Sequence, residues 1–159
     1  MDHHDAPKPL HELMQGGTTL MVGTGRDGDL EFRPMTVARV DGDTIDMLLD
    51  SNEQWVIALA NGDVAHVTMS DERDNRWVSL RGTVTLSTDQ ALIDELWNPA
   101  AGAFFDDGRQ TPGIAVLRIT GDRGRYWASP SGRLGSLVAM ARAKLGDPED
   151  SGTHGDIAL

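Results

Sequence analysis

The fold is decided by the stretch Leu30-Glu31-Phe32-Arg33-Pro34-Met35-Thr36-Val37-Ala38-Arg39-Val40. Its apolar and polar residues alternate, which is typical of a β-strand with one buried face. Arg33 and Pro34 depart from that pattern, because a proline cannot donate a hydrogen bond within a sheet and a plain strand has no arginine at its centre. The stretch therefore predicts a strand that carries a functional site.

Turn residues on both sides of this strand predict a three-stranded meander. Arg26-Asp27-Gly28-Asp29 is typical of a hairpin turn and joins the strand to an earlier one at residues 18–24. Asp41-Gly42-Asp43 predicts the turn into a third strand at residues 44–49. The apolar side of that third strand contains Ile45, Met47 and Leu49.

The remaining sequence alternates between helix and strand patterns. Helices are predicted at residues 7–15, from the capping box 51–54 to residue 62, from the capping box 87–90 to residue 98, and at residues 134–145. Strands are predicted at residues 64–70, 76–86, 113–120 and 123–128, the last two as a hairpin across Gly121-Asp122. Six or seven antiparallel strands with a few helices predict a mainly β domain, a barrel with flanking helices.

The length of 159 residues suits one domain with one hydrophobic core. We expect a flexible N-terminus at residues 1–7, the domain at residues 8–146, and a disordered tail at residues 147–159. The tail prediction depends on composition, because this segment is rich in Asp, Gly and Ser.

Charge and composition exclude several classes of function. The formal net charge is −11, so the average surface repels nucleic acid and anionic membranes. The chain has no cysteine, which excludes disulfides and thiolate sites. No apolar run reaches transmembrane length and the N-terminus is acidic, so we expect a cytoplasmic protein.

Two motifs are explained without a functional site. Residues 23–28 match GxGxxG, but a dinucleotide site needs a helix directly afterwards, and a strand pattern follows instead. The glycines therefore predict a hairpin. The five histidines show no metal-ligand spacing outside the adjacent pair His3-His4, so no metal site is expected.

Arg33 is the strongest candidate for a binding residue. Its guanidinium can hold a phosphate, and the chain returns through residues 49–51 to a predicted helix N-terminus that also favours anions. An equally weighted alternative is that Arg33 forms an ion pair with Glu31 or Glu53.

Four tryptophans make up half of the eight aromatic residues: Trp55, Trp77, Trp97 and Trp127. Such side chains can form the wall of a planar ligand site or fill a dimer interface, and they also fill cores. The core interpretation is expected to hold for Trp77.

Several segments taken together carry a family resemblance. They are Arg33-Pro34-Met35, residues 47–54, Asn61-Gly62-Asp63-Val64, residues 78–84, Glu95-Leu96-Trp97-Asn98-Pro99 and Tyr126-Trp127-Ala128-Ser129-Pro130-Ser131-Gly132. In this order they resemble the general stress protein 26 group of the pyridoxamine 5′-phosphate oxidase-like, FMN-binding split-barrel proteins. The likeness covers residues 8–145.

The resemblance implies a split β-barrel homodimer with two FMN sites at the subunit interface. The segment that contacts the flavin ring and ribityl phosphate corresponds to Arg33, Pro34, Met35 and Thr36. The strand end and helix start that hold the phosphate correspond to Leu49, Asp50, Asn52, Glu53 and Gln54. Trp97 and Trp127 correspond to aromatic positions that approach the site from the partner subunit, and Arg133 corresponds to a substrate-facing arginine. The resemblance assigns no catalytic acid or base.

The sequence also departs from this family at the phosphate segment. The usual Ser-x-Lys is replaced by Asn52-Glu53-Gln54, a usual threonine by Asp50, and a usual basic or histidine residue by Glu31. Each added like-charge contact costs on the order of 1 kcal/mol in water, so weak FMN binding is expected.

The leading hypothesis is an FMN-dependent oxidoreductase that is not a pyridoxamine phosphate oxidase. The alternatives are a degenerate split barrel that serves as a stress-related interaction protein, and a binder of the deazaflavin F420.

Overall fold

The computed structural model describes residues 4–129 and 153–159. The strands are β1 His4–Pro9, β2 Thr19–Arg26, β3 Asp29–Thr36, β4 Arg39–Asp41, β5 Thr44–Asp50, β6 Val64–Asp71, β7 Arg76–Ser87, β8 Ile114–Ala128 and β9 Thr153–Ala158. The helices are α1 Leu10–Leu13, α2 Gln54–Ile57 and α3 Gln90–Leu96, with two 3-10 turns at Ala101–Ala103 and Gly108–Gln110. Within these ranges no helix is long and apolar enough to cross a membrane.

The strands form one mixed sheet in the order β1-β9-β8-β7-β6-β2-β3. β5 pairs with the first half of β8, and β4 pairs with β5. Every pairing is antiparallel except that of β1 with β9. The predicted mainly β fold with flanking helices is confirmed, and the described residues contain nine strands where six or seven were expected.

The described residues form two apolar clusters. The larger one lies inside the curved sheet and contains the predicted buried side of β5, because Ile45, Met47 and Leu49 are all buried there. A smaller cluster lies between α3 and the outer surface of β5 and β8, with Ile93 and Val116 at its centre. The sheet is therefore covered by α3 where β5 and β8 pair.

The predicted strand at residues 30–40 is divided in two. Val37 donates its N–H to Thr18 O at 2.8 Å, whereas Ala38 donates its N–H to Asp46 O at 2.8 Å. The chain therefore leaves the hairpin partner β2 and joins β5 between these two residues. β3 lies at the edge of the sheet and pairs only with β2 in the described structure, which explains why it tolerates Pro34.

The predicted hairpin across Gly121-Asp122 is wrong, because residues 114–128 form the single long strand β8. Gly82 pairs with Gly121 and Arg81 pairs with Arg123, so Asp122 has no partner on β7 and forms a β-bulge. The inserted residue reverses the alternation of the strand. Ile119 faces the core before the bulge, and Tyr126 faces it afterwards.

The structure also differs from the predictions at both termini. Residues 4–9 form β1 and residues 153–158 form β9, in place of a flexible N-terminus and a disordered tail. These strands pair with each other, and β9 adds to the free edge of β8, so backbone hydrogen bonding compensates for a polar composition. Residues 147–152 and the predicted helix at residues 134–145 lie outside the described residues.

Predicted helices are shorter in the structure. The helix expected at residues 7–15 is one turn, α1, because residues 7–9 belong to β1. The helix expected from the capping box at residues 51–54 is also one turn, α2, without a side-chain cap. In α3 the cap is Asp89, which accepts a hydrogen bond from Ala91 N at 3.2 Å, rather than Ser87.

One buried carboxylate, on β5, connects this strand with β4 and β8 beside the smaller cluster. Asp46, which is 1% exposed, accepts hydrogen bonds from Arg118 on β8 at 2.7 and 2.9 Å and from Arg39 on β4 at 2.8 and 3.2 Å. Arg39 also pairs with Glu95 on α3. Burial raises the pKa of Asp46, but the hydrogen bonds and charges of the two arginines outweigh it and hold the pKa below its usual value.

Candidate functional site

A groove of about 540 Å³ lies between the β2–β3 hairpin and the segment around α2. Arg33 and Thr24 line the hairpin side, and Trp55 and Leu59 line the other side. Its volume falls within the ~300–1,000 Å³ range typical of small-molecule sites. The groove is therefore the candidate binding site nearest to the strand on which the sequence first indicated a function.

Arg33 is held in a fixed position at this groove. Its Nη1 donates to Thr24 Oγ1 at 2.9 Å, and its Nη2 donates to Glu31 Oε2 at 2.8 Å. The guanidinium carbon lies 4.3 Å from the centroid of the Trp55 ring, a cation–π contact. The side chain is 17% exposed, so it presents a preorganised cation with part of its edge open to a ligand. Of the two partners in the alternative interpretation, Glu31 forms the ion pair with Arg33.

Trp55 lines the groove, so it is the tryptophan at which the planar-ligand interpretation left open by the sequence meets a candidate site. Its Nε1 donates to Glu53 Oε2 at 2.6 Å, so Glu53 orients the indole rather than pairing with Arg33. Thr24 is a site residue that the sequence interpretation missed, because residues 18–24 predicted only a strand. The signal that could have singled out Trp55 is its position beside a strand-to-helix junction, since aromatic rings commonly form the walls of ligand sites.

The carboxylates of the groove outnumber its arginines by three to two. Arg26 and Arg33 line it together with Asp29, Glu31 and Asp63. Arg26 Nη2 lies 3.4 Å from Asp63 Oδ2, and both side chains are partly exposed. Water screens such pairs, so they contribute about 0–1 kcal/mol each. A bound anion would therefore meet one fixed cation, Arg33, with carboxylates around it.

Asp50 and Asn52 form a local turn after β5. Asp50 Oδ1 accepts from both the backbone N–H and the side-chain amide of Asn52, each at 2.8 Å. Ser51 N donates to Gly113 O at 2.8 Å, which fixes this turn beside the start of β8. The Asp50 carboxylate is thus engaged within the chain, and the one-turn α2 provides only a short N-terminus for an anion.

The remaining cofactor residues predicted in the segments 33–36 and 49–54 lie in three environments. Met35 packs against the main core, and Leu49 is buried within it. Pro34 and Thr36 are exposed and lie on the opposite face of β3 from Arg33. Gln54 is exposed at the first position of α2. The structure therefore brings Arg33 to the groove, whereas Met35 and Leu49 belong to the main core.

The predicted partner-side aromatic residues lie away from the groove of their own chain. Trp97 is half-buried in the smaller cluster, with its ring centroid 5.9 Å from that of Phe105. Trp127 is 41% exposed on the outer sheet face, directly opposite Trp77 on β7. The core position expected for Trp77 is wrong, because its neighbour Val78 occupies the inward position. Arg133 lies outside the described residues.

Residues 23–28 adopt the predicted hairpin. Asp27 and Gly28 have φ values of 57° and 83°, the left-handed conformations that a tight hairpin turn requires. No helix follows, because β3 begins at Asp29. Within residues 4–129 and 153–159, no three His, Asp or Glu side chains are arranged to hold a metal ion.

The groove fits the two parts of FMN unequally. The indole of Trp55 offers a flat wall for an aromatic ring, and Thr24 and Arg33 offer polar partners at one end. Arg33 is a suitable phosphate contact because its guanidinium carries a permanent charge. The nearby Glu31 opposes a dianion, so the chemistry of the groove fits the ring system better than the phosphate.

Comparison with known proteins identifies the family of this chain. The family model described as pyridoxamine 5′-phosphate oxidase like matches residues 5–150. Protein bli-3 of Neurospora crassa is 24% identical over 160 residues, which is 89% of this chain and 77% of that protein.

Two solved structures are also similar. General stress protein 26 of Jannaschia sp. CCS1 has a TM-score of 0.74 and 24% identity, with 90% of this chain and 91% of that chain covered. The general stress FMN/FAD binding protein of Xanthomonas citri has a TM-score of 0.67 and 26% identity, with 77% and 88% covered. The family model spans nearly all of the chain, and the structural matches have the split-barrel fold that the resemblance implied. The chain therefore belongs to the pyridoxamine 5′-phosphate oxidase-like family.

Proposed function

We propose that this protein binds FMN in the groove beside Arg33 and acts as a flavin-dependent oxidoreductase. The observation that carries the proposal is the arrangement of Arg33 between Thr24, Glu31 and the face of Trp55. A similar protein, that of Xanthomonas citri, is described as FMN/FAD binding, which supports a flavin as ligand. The reaction is not that of a pyridoxamine phosphate oxidase.

The residues of the groove bind and orient the cofactor. Trp55 provides a flat apolar surface, and Glu53 holds the indole in place through its Nε1. Arg33 neutralises part of the phosphate charge, and Thr24 fixes the direction of the guanidinium. Bound FMN would supply the redox chemistry, and the residues of the groove would hold and orient it.

We further propose a homodimer with the flavin sites at its interface. The outer face of β2 and β3 carries exposed apolar side chains, among them Met21 and Phe32 at 39% and 41% exposure. Exposed apolar residues grouped in this way are typical of protein interfaces. In such a dimer Trp97 and Trp127 would approach the groove of the partner subunit.

A flavin titration tests the proposal. The protein is purified with excess FMN, desalted, examined for absorbance in the visible range, and then titrated with FMN while flavin fluorescence is followed. We expect saturable quenching with a Kd weaker than micromolar, because each nearby carboxylate costs on the order of 1 kcal/mol. The absence of both retained absorbance and saturable quenching would remove FMN as the ligand.

The acidic groove favours one alternative, a degenerate split barrel that retains the fold without the cofactor. The substitution Gln54→Lys distinguishes the two proposals, since it restores a cation where Gln54 is exposed at the start of α2. A gain of about tenfold in FMN affinity supports a flavin site weakened by charge. An unchanged affinity supports a pocket with another role. F420 is less suited, because its acidic tail needs a cluster of cations and the two arginines of the groove face three carboxylates.

A further inference from the structure

The charged side chains of β3 follow one another along one wall of the groove. Asp29, Glu31 and Arg33 are two residues apart, so they lie on the same face of the strand, and all three line the groove. Strand residues advance about 3.3 Å each, so the backbone positions of Asp29 and Arg33 are roughly 13 Å apart. Arg33 is 17% exposed, whereas Glu31 is 82% exposed. The groove therefore has a sheltered end with a cation and an open end with Asp29 and Glu31, which we call the acidic entrance.

Asp29 has a carboxylate without a partner. Within residues 4–129 and 153–159, its side chain forms no hydrogen bond or ion pair. The residue directly opposite on β2 is Arg26, whose Nη2 lies 3.4 Å from Asp63 Oδ2 instead. Asp63 Oδ2 also accepts from Ala60 N at 2.9 Å, which fixes it in the segment that follows α2. The arginine that could neutralise Asp29 is therefore paired with another carboxylate.

Glu31 also leaves part of its carboxylate available. Its Oε2 accepts from Arg33 Nη2 at 2.8 Å, whereas its Oε1 has no hydrogen-bond partner in the part of the chain that the structure describes. Arg33 in turn donates to Thr24 Oγ1 at 2.9 Å and lies over the face of Trp55. A molecule that enters the groove from its open end therefore meets carboxylate oxygens before it reaches a guanidinium.

We propose that Asp29 and Glu31 determine the specificity for the molecule that exchanges electrons with the bound flavin, and that this molecule is a small cation. In water, a negative charge about 4 Å from one carboxylate loses roughly fivefold in affinity, and a positive charge gains as much. This selection requires the flavin site proposed above, and it adds the charge class of the substrate to that proposal. Both residues lie on the opposite face of β3 from Phe32, which belongs to the proposed dimer contact.

Collisional quenching of Trp55 fluorescence tests the acidic entrance without a flavin. Caesium, iodide and acrylamide serve as the cationic, anionic and neutral quenchers of the flavin-free protein at constant ionic strength. The contribution of Trp55 is the difference between the wild type and Trp55→Phe, and each quenching constant is divided by that of N-acetyltryptophanamide. We expect caesium to quench Trp55 at least about fivefold more efficiently than iodide on this scale, with acrylamide between them.

Asp29→Asn isolates the charge of the acidic entrance, because the side chain has no hydrogen bond or ion pair to lose. The matched control is Glu72→Gln, which removes the same charge at an exposed position outside the groove, in the turn between β6 and β7. Asp29→Asn should lower the ratio of caesium to iodide quenching about twofold to threefold, and the addition of Glu31→Gln should lower it by a similar factor. Glu72→Gln should leave the ratio unchanged.

The flavin-loaded protein provides a second measurement. The bound flavin is reduced anaerobically and mixed with hexaammineruthenium(III), a cation, or with ferricyanide, an anion. Each reduced flavin gives two electrons to two metal complexes and one proton to the buffer, and each rate is divided by that of free reduced FMN. We expect the ruthenium complex to be favoured at least about fivefold in the wild type and less in Asp29→Asn.

Three results would overturn the proposal. They are a lack of preference for caesium over iodide at Trp55, a preference of the flavin-loaded protein for ferricyanide, and an equal change of the quenching ratio in Asp29→Asn and Glu72→Gln. The last result would assign the selection to the net charge of −11. Failure of the flavin proposal is seen separately, as the absence of FMN binding in the titration, because the quenching measurement needs no flavin.

Discussion

The guanidinium carbon of Arg33 lies 4.3 Å from the centroid of the Trp55 ring, which joins the edge strand β3 to the short helix α2 across the candidate groove. Glu31 and Thr24 hold the same guanidinium from β3 and β2. Because three contacts fix one cation, little side-chain entropy remains to be lost when a ligand binds. Substitutions around Arg33 therefore test the flavin proposal most directly.

Removal of the fixed cation should weaken FMN binding. In Arg33→Gln a charge-assisted contact to the phosphate is lost, and such contacts contribute about 1.5–3 kcal/mol. We expect the FMN Kd to rise about tenfold to a hundredfold by fluorescence titration. The control Arg73→Gln removes an exposed arginine outside the groove and should leave the Kd unchanged. Equal affinity in Arg33→Gln and the wild type would place the phosphate elsewhere.

Neutralisation of the paired carboxylate should strengthen FMN binding. Glu31 is 2.8 Å from Arg33 Nη2 and its side chain is 82% exposed. Glu31→Gln removes a like-charge contact of about 1 kcal/mol to a dianionic phosphate, which corresponds to a gain of roughly fivefold in affinity. The measurement is the same titration at two salt concentrations, since screening should shrink the gain. A loss of affinity would show that Glu31 mainly positions the guanidinium.

Loss of the buried carboxylate should destabilise the fold. Asp46→Asn leaves Arg118 and Arg39 without their shared anion, and breaking such a buried pair costs about 3–5 kcal/mol. Since both arginines are about one-third exposed, we expect urea denaturation to show a loss of unfolding free energy at the lower end of this range. Glu95→Gln removes only the more exposed partner of Arg39 and should cost less than about 1 kcal/mol. Similar losses of unfolding free energy in both variants would contradict the assignment of Asp46 as the buried anion that the two arginines share.

The contribution of Asp46 should depend on pH. The pKa of this carboxyl is lowered in the folded protein, so its contribution is fully present above the unfolded-state pKa of about 3.9. The contribution is lost as the pH falls through the lower folded-state pKa. The difference in unfolding free energy between wild type and Asp46→Asn should therefore be constant at neutral pH and shrink below pH ~4. A difference that stays constant in acid would assign the effect to packing.

The C-terminal strand should contribute measurably to stability. Ile157 is 7% exposed and belongs to the main core, although its segment is polar. Ile157→Ala should cost about 2–4 kcal/mol in denaturant unfolding. Ala158→Ser, at an exposed position of the same strand, should change stability by less than about 0.5 kcal/mol. Equal stability of the two variants would mean that β9 is not bound to the domain in solution.

The sequence by itself determined the features whose physical cause is local. Because Asp27 and Gly28 can adopt the positive φ angles of a tight turn, residues 26–29 are sufficient to predict the first hairpin. The side of β5 that faces the main core follows from a period of two over six residues, since alternate side chains of a strand lie on the same face. The family also followed from the sequence, because its segments occur in order along nearly the whole chain.

Tertiary structure alone decided the features that depend on distant partners. Gly121-Asp122 has the composition of a turn, yet it continues β8 because β7 supplies hydrogen bonds on both sides of the bulge. β9 forms because its backbone groups pair with those at the edge of β8. The side-chain pattern of residues 153–158 does not predict this pairing. In the same way Trp55 became a site residue only when α2 was placed against β3, since stacking on Arg33 depends on positions brought together by the fold.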